Sequence, residues 1–153
     1  MAKIRRFEEL ICWQKARQLA NLVYDLTNHT NFAKDYKLRD QIQGAAGSVM
    51  HNIAEGNDAG TDPEFIRFLK IARRSSSEVQ SQLYLALDRK YISEMELGKT
   101  YAVADEAKRL INGLIAYLRK SRPTNTPHDQ VREFSQEYLT SGKLIMGRST
   151  HDY

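Results

Sequence analysis

Proline stands at only three positions, Pro63, Pro123 and Pro127. The chain on either side of Pro63 therefore forms two long stretches in which no pyrrolidine ring removes a backbone donor or breaks a helical ladder. A loop-rich β-sandwich is hard to build from such stretches, and a few long helices are easy. Apolar residues recurring at three and four positions divide the stretches into four helical segments. The first runs from about Phe7 to Thr27, and its polar stripe is narrow: Gln14, Gln18, Asn21 and Asp25. A helix so broadly apolar is buried from more than one direction.

The second segment runs from about Asp35 to Glu55, with Leu38, Ile42, Ala45, Val49 and Ile53 as its core stripe. Gly44 and Gly47 each weaken that helix by ~1 kcal/mol relative to alanine. Close backbone approach by a neighbouring helix is the expected compensation, and Gly56 suits the C-terminal cap. The third opens at Thr61-Asp62-Pro63-Glu64, where a capping residue precedes a first-turn proline and two acids at the positive end of the dipole. Phe65, Phe68, Leu69, Ala72, Val79, Leu83, Ala86 and Leu87 share its core face, with Ile71 and Leu85 roughly opposite. The fourth begins with the capping box Ser93 to Glu96 and ends before Arg122-Pro123. Leu97, Ala104, Ile111, Ile115 and Leu118 line it, broadened by Val103, Leu110, Leu114 and Tyr117.

The predicted fold is all-α: an antiparallel up-and-down four-helix bundle over 1–122, then a linker and C-terminal tail over 123–153. A short helix is expected at Gln130 to Leu139, where Val131, Phe134 and Leu139 would dock. A chain of 153 residues has room for one such domain, and 41% hydrophobic residues suffice for its core. The breadth of the apolar faces on the first and fourth helices, with Ile71 and Leu85 off-core, predicts a homo-oligomer.

One cysteine, Cys12, excludes an internal disulfide or a zinc cluster. The basic N-terminus has no apolar segment behind it, and no apolar run approaches the ~20 residues of a membrane span. A soluble cytoplasmic protein without a membrane partner is expected. The net charge is +4. Residues 123–153 hold 3 of the 23 basic and 4 of the 19 acidic residues, so the body carries +5 and the tail −1.

Two polar groupings are candidates for function. Gln41, Ser48, Asn52 and Glu55 fall within roughly 60° on the second helix, beside its apolar stripe. They read as a structural hydrogen-bond network that fixes helix register or a subunit seam, since Glu55 has no assignable acid–base partner. Arg67, Lys70, Arg73 and Arg74 cluster on the third helix, at spacings that could meet successive phosphates. A solvated helix face would look the same. Arg5 and Arg6 with Lys3, and Arg119 and Lys120 with Arg122, would extend the patch.

Tyr24, Tyr84 and Tyr101 read as packing residues in preference to base-stacking ones. The four histidines have no ligand spacing and there is no glycine-rich phosphate loop, so no metal and no cofactor are expected. Cys12 reads as structural.

Several motifs resemble a known family: Phe7-Glu8-Glu9-Leu10 with Trp13-Gln14-Lys15-Ala16; Gln41-Ile42, Ala45-Ala46 and Ser48, then Asn52-Ile53-Ala54-Glu55-Gly56; Glu64 to Ala72 with Ser75 and Glu78; and Tyr91-Ile92. The chain is similar in order over roughly residues 7–120 to the bacterial four helix bundle proteins, the 23S rRNA-intervening-sequence proteins. These are related in fold to the accessory variability proteins of diversity-generating retroelements. The resemblance implies an up-and-down bundle assembled as a ring-like homopentamer, and no enzyme. For the retroelement relatives it implies a basic surface that engages nucleic acid and a reverse transcriptase. The chain departs from the family pattern at Gly44, where a basic residue is common, and at Arg74, where glycine is common. Neither position inherits a family binding surface.

The expected function is a non-catalytic oligomeric nucleic-acid-binding protein, with RNA or an RNA–DNA hybrid as ligand. The alternative is a protein-interaction scaffold, or an accessory subunit for a reverse transcriptase or other mobile-element enzyme, with Phe134, Tyr138 and Leu139 as docking residues.

Overall fold

A computed structural model describes residues 6–120. A 3-10 turn, Phe7–Glu9, leads into helix α1 (Ile11–Thr27), followed by a short α2 (Thr30–Lys34), α3 (Tyr36–Asn57), α4 (Asp62–Asp88) and α5 (Glu94–Lys120). The four long helices form the up-and-down bundle that the proline spacing and apolar periodicity predict. Each packs on two neighbours: α1 lies between α3 and α5, and α4 lies between the same two on the opposite side. Among the described residues no helix is long and apolar enough to cross a membrane.

The start signals work as read. Thr61 Oγ1 accepts the Glu64 amide at 3.4 Å, with Pro63 in the first turn of α4. Ser93 Oγ accepts the Glu96 amide at 3.1 Å and Glu96 Oε1 accepts the Ser93 amide at 3.0 Å, a reciprocal capping box. Asp35 caps α3 by accepting the Leu38 amide at 3.1 Å.

Four expectations change. The first helix does not begin at Phe7: Leu10 is extended (φ −73°, ψ 125°), which lets Phe7 turn its ring edge-on to Trp13 at 5.1 Å while Leu10 is buried. The segment before α3 contains α2, whose Phe32 is wholly buried and stacked on Tyr91 at 5.3 Å. It plugs one end of the bundle.

The third change concerns the glycines. A Cβ on Gly44 would meet nothing within 4 Å, and one on Gly47 would meet only the His51 ring of its own helix at 3.4 Å. No neighbouring helix approaches either. The close approach is at Gly56, where a Cβ would come within 2.7 Å of the Phe65 ring and 2.8 Å of the Phe68 Cβ. Gly56 is therefore inside α3 and buried, not its cap; Gly60 (φ 87°) supplies the left-handed residue of the following turn. After α4 that role falls to Lys90 (φ 62°), with Tyr91 N–H bonded to Ala86 O at 2.9 Å in a Schellman closure.

The fourth change concerns apolar breadth. Cys12, Trp13, Ala16, Leu19, Ala20, Val23 and Leu26 of α1 are all buried within one chain, because α3 and α5 flank that helix. Val103, Leu110 and Leu114 of α5 are buried likewise, and Ile71 is half-buried. Among the described residues, the large apolar side chains left exposed are Tyr24, Tyr36, Tyr84, Leu85 and Met95.

Candidate functional site

The polar line on α3 divides. Ser48 Oγ and Ser75 Oγ of α4 lie 2.9 Å apart, and Asn52 Nδ2 donates to Ser48 O at 2.8 Å and Ser48 Oγ at 2.9 Å. This small network sits in the α3–α4 seam, where it satisfies polar groups that packing removes from water. Gln41 and Glu55 are exposed and stand outside it.

The basic cluster on α4 also divides. Arg67 is spent on its own helix: its Nε reaches both Glu64 carboxylate oxygens at 3.3 Å, and its Nη2 reaches Oε2 at 3.1 Å. Hydrogen bonding and charge from Glu64 push the guanidinium further toward its charged form, and it lies 4.6 Å above the Phe68 ring. Arg73 crosses to α5, donating from Nη1 to Asn112 Oδ1 at 2.7 Å. An amide acceptor orients the guanidinium and leaves its positive charge uncompensated. Lys70 and Arg74, one helical turn apart, have no carboxylate within ion-pair distance among the described residues.

The Arg73–Asn112 bond reports the antiparallel register: the N-terminal half of α4 lies beside the C-terminal half of α5. Arg119 is seven residues beyond Asn112 on the same face of α5, and Arg119 and Lys120 are exposed. At the other end of the chain Arg6 pairs with Glu8 at 3.1 Å, which compensates its charge. Arg5, and the docking residues Val131, Phe134, Tyr138 and Leu139, lie outside the described residues.

Further along the seam stand Lys108, which periodicity alone does not single out, and Tyr84, one of the expected packing residues. Lys108 Nζ donates to Gln80 Oε1 at 3.1 Å, so a second cation is held across the helices by a neutral acceptor. Tyr84 is half-exposed with its ring edge-on to Tyr101 at 5.9 Å. Tyr24 is equally exposed, so of the three tyrosines expected to pack, Tyr24 and Tyr84 leave about half of their surface in water. Tyr84 is eleven residues after Arg73, three turns and about 20° of rotation, so the two share a face of α4. Asp105, next to this line on α5, is occupied by Arg109 at 2.9 Å. Cys12 is wholly buried, and desolvation pushes its thiol up to about 12, which suits packing and not nucleophilic attack.

A family model described as 23S rRNA-intervening sequence protein matches residues 8–113. Among solved structures, the chain is similar to a crystal structure, at 1.70 Å, of a protein of unknown function from the S23 ribosomal protein family of Bacteroides thetaiotaomicron. Sequence identity is 24% and the TM-score 0.65, over 69% of this chain and 98% of that one; the likeness is one of fold. No curated protein sequence matches the chain.

Proposed function

Because the chain belongs to the family of 23S rRNA-intervening sequence proteins, we propose that it is a non-catalytic, self-associating protein that binds RNA or an RNA–DNA hybrid through the outer face of α4. The observation that carries this reading is the set of three cations, Lys70, Arg73 and Arg74, whose charges no carboxylate compensates within the described residues. Phosphate contacts from such a set are sequence-tolerant and weaken steeply with salt. Repetition of the set around a homo-oligomer, a ring of five by family resemblance, multiplies the contacts without new chemistry.

The test is titration of labelled RNA at two salt concentrations, with wild type and with a Lys70→Gln/Arg73→Gln/Arg74→Gln variant. We expect the variant to lose affinity and to show a salt slope shallower by about 2 to 3. Arg67→Gln alone is expected to matter least, because Glu64 already compensates that charge. Equal binding by wild type and triple variant defeats the reading. Light scattering checks self-association, and a monomer at micromolar concentration would remove the ring from it.

A further inference from the structure

We propose that the α4–α5 seam is a track for single-stranded nucleic acid, with the Tyr84 ring as the platform on which one unpaired base stacks. This rests on the nucleic-acid reading above and goes further, to strandedness and to a contact that is not electrostatic.

The seam presents its groups in order. From the end where α5 finishes, they run Arg119, Lys70, the Arg73–Asn112 pair, the exposed hydroxyl of Ser77, the Lys108–Gln80 pair, and the Tyr84–Tyr101 pair. On α5 the contributing residues Tyr101, Lys108, Asn112 and Arg119 repeat at seven, four and seven positions, a single stripe. Cations thus occupy one stretch of the track and aromatic rings the other. Along the helix axis Arg73 and Tyr84 are about 16 Å apart, which is about five nucleotides of a stacked strand at ~3.4 Å each and fewer of an extended one.

Strandedness follows from chemistry. A phosphate track alone accepts any polyanion, but a ring face can take only a base whose own face is free. In a duplex both faces of each base are covered by neighbours. Tyr84 is 51% exposed, and the edge-on contact with Tyr101 holds its ring while leaving it open to solvent. A half-exposed tyrosine ring, braced by a partly buried one at the far end of a cationic seam, suits holding a strand without reading its sequence.

The experiment measures fluorescence anisotropy of a labelled short oligouridylate, its DNA counterpart and a duplex of equal length. The proteins are wild type, Tyr84→Leu, Tyr84→Phe and Lys70→Gln/Arg74→Gln. Tyr84→Leu keeps a good helix former at a half-exposed site, and thermal melting checks that it folds. We expect Tyr84→Leu to lose about five- to a hundredfold in affinity for both single strands, the range for one stacked base. Its salt slope and its duplex binding should stay unchanged, and Tyr84→Phe should bind as wild type. The lysine–arginine variant should weaken on all three probes.

Single-strand binding by Tyr84→Leu equal to wild type overturns the stacking proposal and leaves the phosphate reading standing. An equal loss on the duplex overturns it too. So does a fall in particle mass on light scattering, which makes Tyr84 a contact between copies. Wild type that binds no probe overturns this proposal and the nucleic-acid reading together.

Discussion

The two seams that flank α4 share buried hydrogen bonds and differ in what they carry at the surface. Against α3, the helix closes on Gly56, whose missing side chain admits the Phe65 and Phe68 side chains, and the polar groups there bond to one another. Against α5, charged side chains cross the boundary and end on amides, and the Tyr84 ring stays half open to water. The α3 seam uses its polar groups to complete packing; the α5 seam does so in its interior, where the buried Ser76 hydroxyl donates to Ala104 O at 2.8 Å, and holds cations at its surface. On the function proposed above, one flank of α4 serves stability and the other recognition, with no loop needed to carry the site.

Substitutions can break this contrast in order of effect. Gly56→Ala forces a Cβ against two phenylalanine side chains and is expected to cost about 1–3 kcal/mol. In the same helix Gly44→Ala enters open space and should stabilise by roughly 0.5–1 kcal/mol. Denaturant melts of the pair check both signs, and equal effects would erase the distinction between the glycines. Next come the polar bonds. A double-mutant cycle on Ser48→Ala and Ser75→Ala should give a coupling near ~1 kcal/mol, the usual worth of a bond shielded from water. Asn112→Ala, on the exposed seam, should stay within about 0.5 kcal/mol while shifting RNA affinity.

The smallest effect lies at the plugged end, which belongs to neither seam. Asp35 is held below its ordinary pKa, first by the Leu38 amide and then by the Tyr91 hydroxyl, which donates to Oδ2 at 2.9 Å. Glu96 is lowered by the Ser93 amide, with help from the Ser93 hydroxyl and from His29, 2.9 Å from Oε2. Folded values below the unfolded 3.8 and 4.5 mean that both contributions are full above about pH 5 and fade as acid titrates the folded groups. The thermal midpoint should fall between pH 5 and pH 3 by those references. Asp35→Asn should flatten the fall, and an unchanged acid limb would show that the plug does not govern it.

The long helices were legible because their boundaries rest on local chemistry: Thr61-Asp62-Pro63 opens α4 and Ser93 with Glu96 opens α5. Helix α2 was not, since five residues with one buried apolar side chain and no side-chain cap have no period to detect. Lys90 gave no warning either, because a lysine in the left-handed region is set by the closure of α4 and not by its own preference. Of the candidate site, residue type and spacing revealed which cations share a face. They could not show which are compensated: Arg67 is answered three residues away by Glu64, whereas Arg73 finds Asn112 thirty-nine residues away. Only the register between helices brings the second pair together. The same holds for Tyr84, whose exposure depends on where α5 lies beside it.

Cys12 has a practical consequence for following the seam. It is the chain's one cysteine, and burial keeps its thiol protonated far above neutral pH. The folded protein should be silent toward maleimides and other thiol reagents. A cysteine placed at exposed Ser77 or Ser81 would then be the single reactive handle, and its protection by a bound strand would map the track residue by residue.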